Sequence, residues 1–275
     1  MTKDNIMDVY DYIKDDLKFI TTSSVRTKVI LSLKETDLTL NQIKDKLALK
    51  SSSISHAIKN LEEENLVVKD GKNYSLSSLG KFYLFKSENL FKSFSTVKNC
   101  EKIFLNHLID GIPHFLIEKI GYLNDSYIVE STPLDLIKPH THYMEILSKS
   151  KDIRIISPIF YYPFFDLYTS GLKEGARAEI IITPLILNAM IKNMGREKIK
   201  EAMSTNKLQF LLVDEDMNIS FAVTEDFLHF GLFLTDGIYD ATMSLVNYNA
   251  DAVKWGEELY NFYLKNAKEI DHKNI

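Results

Sequence analysis

Apolar side chains in the first quarter of the chain recur at helical intervals. Ile6, Val9, Tyr10, Ile13 and Leu17 fall at i, i+3, i+4, i+7 and i+11, which puts one apolar stripe on a first helix. Ser23 or Ser24 can cap a second helix, with Val25, Val29, Ile30 and Leu33 inward. Thr39 followed by Gln42 is a capping box, since the hydroxyl accepts from the third amide while the Gln side chain reaches back. The helix it starts presents Leu40, Ile43 and Leu47 to a core. After a short turn, Ala48 to Lys50, the serines Ser51, Ser52 and Ser53 mark a fourth helix whose Ile54, Ala57, Ile58 and Leu61 form the next apolar stripe. Two short helices joined so tightly must cross, which predicts a helix-turn-helix.

Two short extended runs follow. Leu66 to Val68 and Tyr74 to Leu76 alternate as strands around Lys69 Asp70 Gly71 Lys72 Asn73, a turn in which glycine supplies positive φ. This predicts a β-wing with Lys69 and Lys72 at its tip. From Leu79 through Phe82, Tyr83, Leu90, Phe91, Phe94, Val97, Ile103 and Phe104, helical spacing continues to about Asn106, and so apolar a connector needs covering. It packs under the rest of the chain or pairs with its copy in a second chain.

Beyond Asp110 the period changes to compact β-rich runs separated by helices. Ile153–Ile156 and Glu179–Ile182 are each followed by a hydroxyl and a proline, Ser157 Pro158 and Thr183 Pro184, a local repeat of strand, loop and helix. Leu208–Val213, Asn218–Val223, Leu228–Leu234 and Met243–Val246 read as further strands, and Ala250–Ala267 as a closing helix with Val253, Leu259, Phe262 and Tyr263 inward. The expected fold class is a two-domain α+β or α/β chain. It comprises a winged helix-turn-helix over residues 1–78, a connecting or dimerisation helix over 79–106, and a mixed-sheet α/β domain over 107–275.

Composition narrows the partners. The 275 residues are 45% hydrophobic and 26% charged, ordinary for a packed globular chain long enough for two domains. No run of about 18 apolar residues appears, and the start of the chain is acidic where a signal peptide needs a basic one, so a cytoplasmic protein with no membrane partner is expected. The single cysteine, Cys100, excludes an internal disulfide and reads as a small buried hydrophobe. A net charge of −5 argues against general coating of nucleic acid, yet residues 23–60 hold seven basic side chains against three acidic ones. That local surplus suits a small module facing a few phosphates of double-stranded DNA.

The polar face of the fourth helix carries the chemistry for this. Lys50, Ser52, Ser53, Ser55, His56, Lys59 and Asn60 lie off the apolar stripe and are donors and acceptors of groove-reading size. Asn60 suits adenine and Lys59 guanine or phosphate, whereas serines specify weakly. Lys69 and Lys72 suit sugar-phosphate contacts beside the groove. On these residues the stretch from Thr39 to Gly80, TLNQIKDKLALKSSSISHAIKNLEEENLVVKDGKNYSLSSLG, resembles the winged-helix regulators of the ArsR/MarR type. The cysteine pair with which some ArsR proteins sense zinc is absent, and no metal is expected.

From about Phe104 to Ala267 the chain resembles the middle domain of archaeal methanogenesis regulators, carried by KDIRIISPIFYYPFFDLYTSGLKEGARAEIIITP and DMNISFAVTEDFLHFGLFLTDGIYDATMSLV. More distantly it is similar to the sensing domain of TrmB regulators, which looks like phospholipase D. The His-x-Lys-x4-Asp motif of that superfamily is missing, so a degenerate, noncatalytic version is expected. The resemblance implies a homodimeric transcription regulator that couples a small-molecule effector to operator binding.

Ligands of open α/β sheets bind beyond the carboxyl ends of strands, which here selects Ser157, Pro158, Tyr161, Tyr162, Phe164, Phe165, Thr183 and Pro184, with Ser157, Tyr161, Tyr162, Phe165 and Thr183 as the effector-binding candidates. A hydrophobic core corner or a dimer interface is the competing reading of those residues. His140 and His142 are read as exposed side chains on an irregular segment rather than as metal ligands. No catalytic residue and no cofactor is expected, since there is no G-x-S-x-G, Walker A, H-E-x-x-H or G-x-G motif. The alternatives are a winged-helix methyltransferase-like enzyme, which would need a glycine-rich loop after a strand, and an adaptor that uses the winged helix for protein contacts.

Overall fold

The computed structural model describes residues 5–172, 174–204, 208–215 and 217–270. Residues 1–4 and 271–275, the outer ends of the two expected domains, lie outside that range. The chain forms two compact units, Met1–Leu90 and Phe91–Ile275.

In the first unit α1 (Ile6–Thr21) and α2 (Ser24–Ser32) precede a short strand β1 (Leu38–Thr39), then α3 (Leu40–Leu47) and α4 (Ser51–Glu63). The α3 start follows from local chemistry: Gln42 N–H donates to the Thr39 hydroxyl at 3.3 Å and Thr39 N–H to Gln42 Oε1 at 2.8 Å. Ala48, in the left-handed region at φ 51°, turns the chain into α4. Strands β2 (Val67–Asp70) and β3 (Asn73–Leu76) form the wing around Gly71, whose φ of 57° a glycine adopts without strain. β1 closes a three-stranded sheet in the order β1-β3-β2. Ile43, Ile54, Ala57, Ile58 and Leu61 meet Val29, Ile30, Leu66 and Leu76 in one core. The α1 stripe departs from the rule that an apolar face points inward: only Ile20 is buried, while Ile6, Tyr10 and Leu17 are exposed.

The expected single connector over 79–106 is two helices, α5 (Ser78–Asn99) and α6 (Glu101–Asn106), broken at the buried Cys100. The boundary between the compact units falls within α5. Gly80 lets α5 start against the wing, since a Cβ there would lie 2.0 Å from the Leu66 carbonyl oxygen.

The second unit continues with α7 (His114–Ile117), β4 (Tyr127–Glu130), α8 (Lys138–Leu147), β5 (Asp152–Ser157) and α9 (Tyr162–Asp166). A π-type turn, Leu167–Gly171, follows α9. Then come β6 (Arg177–Ile182), α10 (Pro184–Met194), α11 (Arg196–Ser204), β7 (Leu208–Leu212), β8 (Ile219–Thr224), β9 (Leu228–Leu232), β10 (Met243–Asn247), α12 (Ala250–Leu264) and β11 (Lys268–Glu269). The sheet order is β11-β7-β6-β5-β8-β9-β10-β4. β5, β6 and β7 are parallel, and every other pairing is antiparallel, so the sheet is mixed.

Alternation along the strands sends one set of side chains to α8, α9, α10 and α11, and the other to α6, α7 and α12. Trp255 and Tyr260 anchor α12 in that second layer, whereas Phe262, expected inward, is exposed. Among the described residues no helix is long and apolar enough to cross a membrane.

Candidate functional site

Two regions gather polar groups in ways that packing alone does not require. The first is α4 with the wing. Burial of Ile54, Ala57, Ile58 and Leu61 fixes the rotation of α4, so Ser52, Ser53, Ser55, His56 and Lys59 are exposed and Asn60 is half-buried. Lys50, the residue preceding the first helical turn, makes no side-chain cap, and that turn holds no acidic residue to compete for an anion. Lys59 meets only Glu63 on this helix, at 3.8 Å with both groups exposed, a pair too solvated to hold it from another partner. At the wing, Lys69 lies within β2 paired with Tyr74, its Nζ 5.5 Å from the centre of that ring, and not at the expected tip; only Lys72, exposed beside Gly71, stands in the turn.

The second region lies on the α8 face of the large sheet. On β9, Leu228, Phe230 and Leu232 point toward α12, which leaves His229 and Gly231 on the opposite face. There His229 stands beside Ala222 of β8 and Val246 of β10, its register partners. Two residues before Val246 on the same face is the buried Ser244.

Aromatic rings cover this floor. Tyr143 lies 4.6 Å from His229 and 4.7 Å from Phe164, centre to centre. Phe164 in turn lies 5.1 Å from His140, and Tyr161 lies 4.7 Å from the same imidazole. His142, two residues along α8, has its ring 6.4 Å from that of Tyr127. The Tyr143 and Tyr168 hydroxyls bond each other at 2.8 Å.

His140 Nδ1 and Nε2, His142 Nδ1, His229 Nδ1 and Nε2, and Ser244 Oγ are all sealed from solvent without a hydrogen-bond partner. Burial pushes the His229 imidazole down to about 3 and lowers His140 and His142, so the three rings are neutral at physiological pH. Among the described residues no group of three or more His, Cys, Asp or Glu is arranged to hold a metal ion.

Of the five effector candidates chosen from the strand ends, Tyr161 joins this cluster. Ser157 donates to the Ile159 carbonyl at 3.1 Å, and Thr183 accepts from Ile186 N–H as the cap of α10. Phe165 is fully buried against Phe160, Tyr168 and Phe210, and Tyr162 is on the surface with Lys198 over its ring.

The histidines correct the sequence expectation. His140 and His142 stand on a helix, with the nitrogens named above shielded from water. Pro139 in its first turn was the available signal, because proline starts helices more readily than it interrupts them, and Tyr143 and Leu147 follow at the spacing of one face. Nothing local in the sequence marks His229, whose burial comes from non-adjacent elements.

Residues 14–97 match the model of the FilR1 N-terminal domain, and residues 136–266 that of the FilR1 middle domain, both described for the methanogenesis regulatory protein FilR1. The curated FilR1 of Methanothrix harundinacea (strain 6Ac) is 26% identical over 272 residues, 98% of this chain. The chain spans only 61% of that relative's length.

Among solved structures, TrmBL2, an archaeal chromatin protein described with a novel mode of DNA binding, is 14% identical at a TM-score of 0.43, covering 90% of this chain and 94% of its own. Reduced HlyU from Vibrio cholerae N16961 is 20% identical at a TM-score of 0.27, over 31% of this chain and 95% of its own. An O-methyltransferase family protein from Burkholderia thailandensis is 10% identical at 0.28, over 77% and 64%. The chain thus carries matches, in order, to both domains described for the methanogenesis regulatory protein FilR1, and these together account for most of its length.

Proposed function

We propose that this chain is a cytoplasmic DNA-binding transcription regulator of the ArsR-like winged-helix kind, whose sheet unit senses a small molecule and which works as a homodimer. The observation that supports the DNA half is the division of α4: its apolar side is consumed by the core while serines, His56 and Lys59 remain exposed, in a unit whose wing carries Lys69 on β2 and Lys72 in its turn. Such a helix enters a major groove with its N-terminal residues against base edges, and the wing lysines meet phosphate.

The sensing half draws support from the buried neutral polar cluster in the second unit. A noncatalytic role fits the chain better than methyl transfer. The parallel strands β5 and β6 run into Ser157-Pro158 and Thr183-Pro184, where a nucleotide-like cofactor needs a glycine-rich turn.

The test is selection of duplexes from a randomised library, followed by titration of the enriched sequence at several salt concentrations. If about six phosphates are neutralised per dimer, the logarithm of affinity falls with that of salt at a slope near −5. Failure to enrich any sequence, with no salt-dependent binding, would favour the adaptor reading instead.

A further inference from the structure

All the unpartnered buried side-chain polar atoms found among the described residues belong to His140, His142, His229 and Ser244. A folded chain seldom leaves buried polar atoms unpaired, because each forfeits its hydrogen bonds to water without replacement. That such atoms concentrate at one place, on one sheet face and the helix covering it, indicates a shared cause. His229 is itself 95% shielded, its relative exposure being 5%, so side-chain mobility in water does not satisfy its nitrogens.

We infer that His140, His142, His229 and Ser244 form the binding site for an uncharged planar heterocycle whose edge carries both hydrogen-bond donors and acceptors. This rests on the sensing role proposed above for the same unit and names its ligand class.

A neutral imidazole offers one N–H donor and one bare-nitrogen acceptor, and a serine hydroxyl offers both, so the free groups form a mixed set rather than a cationic cradle. The side chains in ring contact there are imidazoles, phenol rings and Phe164, and the charged groups that act on His142, Glu145 and Lys138, are exposed, so an ion buried among the rings finds no counter-charge inside. The rings of Tyr161, His140, Phe164, Tyr143 and His229 follow one another with centres 4.6–5.1 Å apart and planes inclined by 39–79°, a tilted and edge-to-face packing, so a flat molecule enters by displacing one of these rings and taking over its contacts. Part of its cover is irregular: α9 is five residues long and runs into the π-type turn, a geometry common at functional sites.

Thermal unfolding of the full chain tests this with adenine, hypoxanthine and nicotinamide as uncharged heterocycles, benzoate as a planar anion, and Zn²⁺ as a metal. At a hundredfold excess over its Kd, a ligand confined to the folded state raises the midpoint by about 5–10 °C. At least one heterocycle is expected to do so, and benzoate and Zn²⁺ are not.

In His229→Phe, which keeps a flat aromatic side chain and deletes both unpaired nitrogens, the heterocycle shift disappears. Ser244→Ala and His140→Phe, which touch different elements, each weaken the heterocycle about tenfold and cover the case in which His229→Phe does not fold. The inference is overturned by an unshifted midpoint with all three heterocycles, by a response to benzoate or Zn²⁺ alone, or by variants that keep the full shift. DNA affinity measured alongside separates the two claims. A variant-sensitive heterocycle shift supports the site whatever DNA does, and DNA affinity indifferent to that heterocycle overturns only the sensing role.

Discussion

A single imidazole makes the sheet unit acid-sensitive. In an unfolded chain the His229 ring titrates near 6.5, whereas in the folded unit burial pushes it down to about 3. Between those values the unfolded state holds the extra proton, so stability falls as pH drops from about 6.5 toward 3 and is fully present above that window. His140 and His142 shift in the same direction and add to the effect. The urea midpoint is therefore expected to be clearly lower at pH 5 than at pH 7.5, and His229→Phe to flatten that dependence; an equal slope in both proteins would contradict the burial of a neutral ring.

Gly80 yields a second prediction at the scale of one atom. Gly80→Ala drives a methyl against the Leu66 carbonyl, a backbone group that cannot rotate away, and should cost about 1–3 kcal/mol, read as a lowered denaturant midpoint of the winged-helix unit. The sequence made some residues legible and hid others for one reason. The Thr39–Gln42 box is legible because its partners are three residues apart, and His229 is not, because it is covered by helices about 65 and 90 residues upstream in the chain.

Elements were readable wherever their periodicity closed on itself. The α3–α4 pair and the β2–β3 wing could be traced from apolar spacing and one glycine, and the parallel strands from their apolar runs. β4 and β11 were not, being short edge strands whose pairing is set by β10 and β7 far away in sequence. The α1 stripe was visible, but what it faces was not, since amphipathicity records that a face is apolar and not what covers it.

For α4 the consequence is a prediction about one face. Lys59, 73% exposed at its side chain, and the half-buried Asn60 lie off the apolar side, so replacing both by Ala should leave the thermal midpoint nearly unchanged. Affinity for the selected duplex should fall about tenfold or more, the loss of one good base contact. Unchanged affinity in a gel shift would remove α4 from the groove.

At the scale of the whole molecule the exposed apolar face of the first unit sets the question of assembly. Ile13, Leu17 and Ile20 of α1 with Phe82, Tyr83 and Leu90 of α5 line an open groove of about 390 Å³. Phe82 at its edge is 70% exposed. The homodimer proposed above would seat a second copy there, because paired half-sites need paired reading helices.

Phe82→Ser separates the roles of the groove. In one chain the ring is already in water, so the unit's own stability should change little, whereas in a dimer the ring is lost from the contact. The variant should move from about twice the chain mass of 31.7 kDa to that mass in light scattering. With one reading helix per particle, the salt slope for the selected duplex should fall from near −5 to roughly half of it, because only half the phosphates are neutralised. A variant that stays dimeric with an undiminished slope would place the two-fold contact elsewhere in the chain and leave this groove without that role.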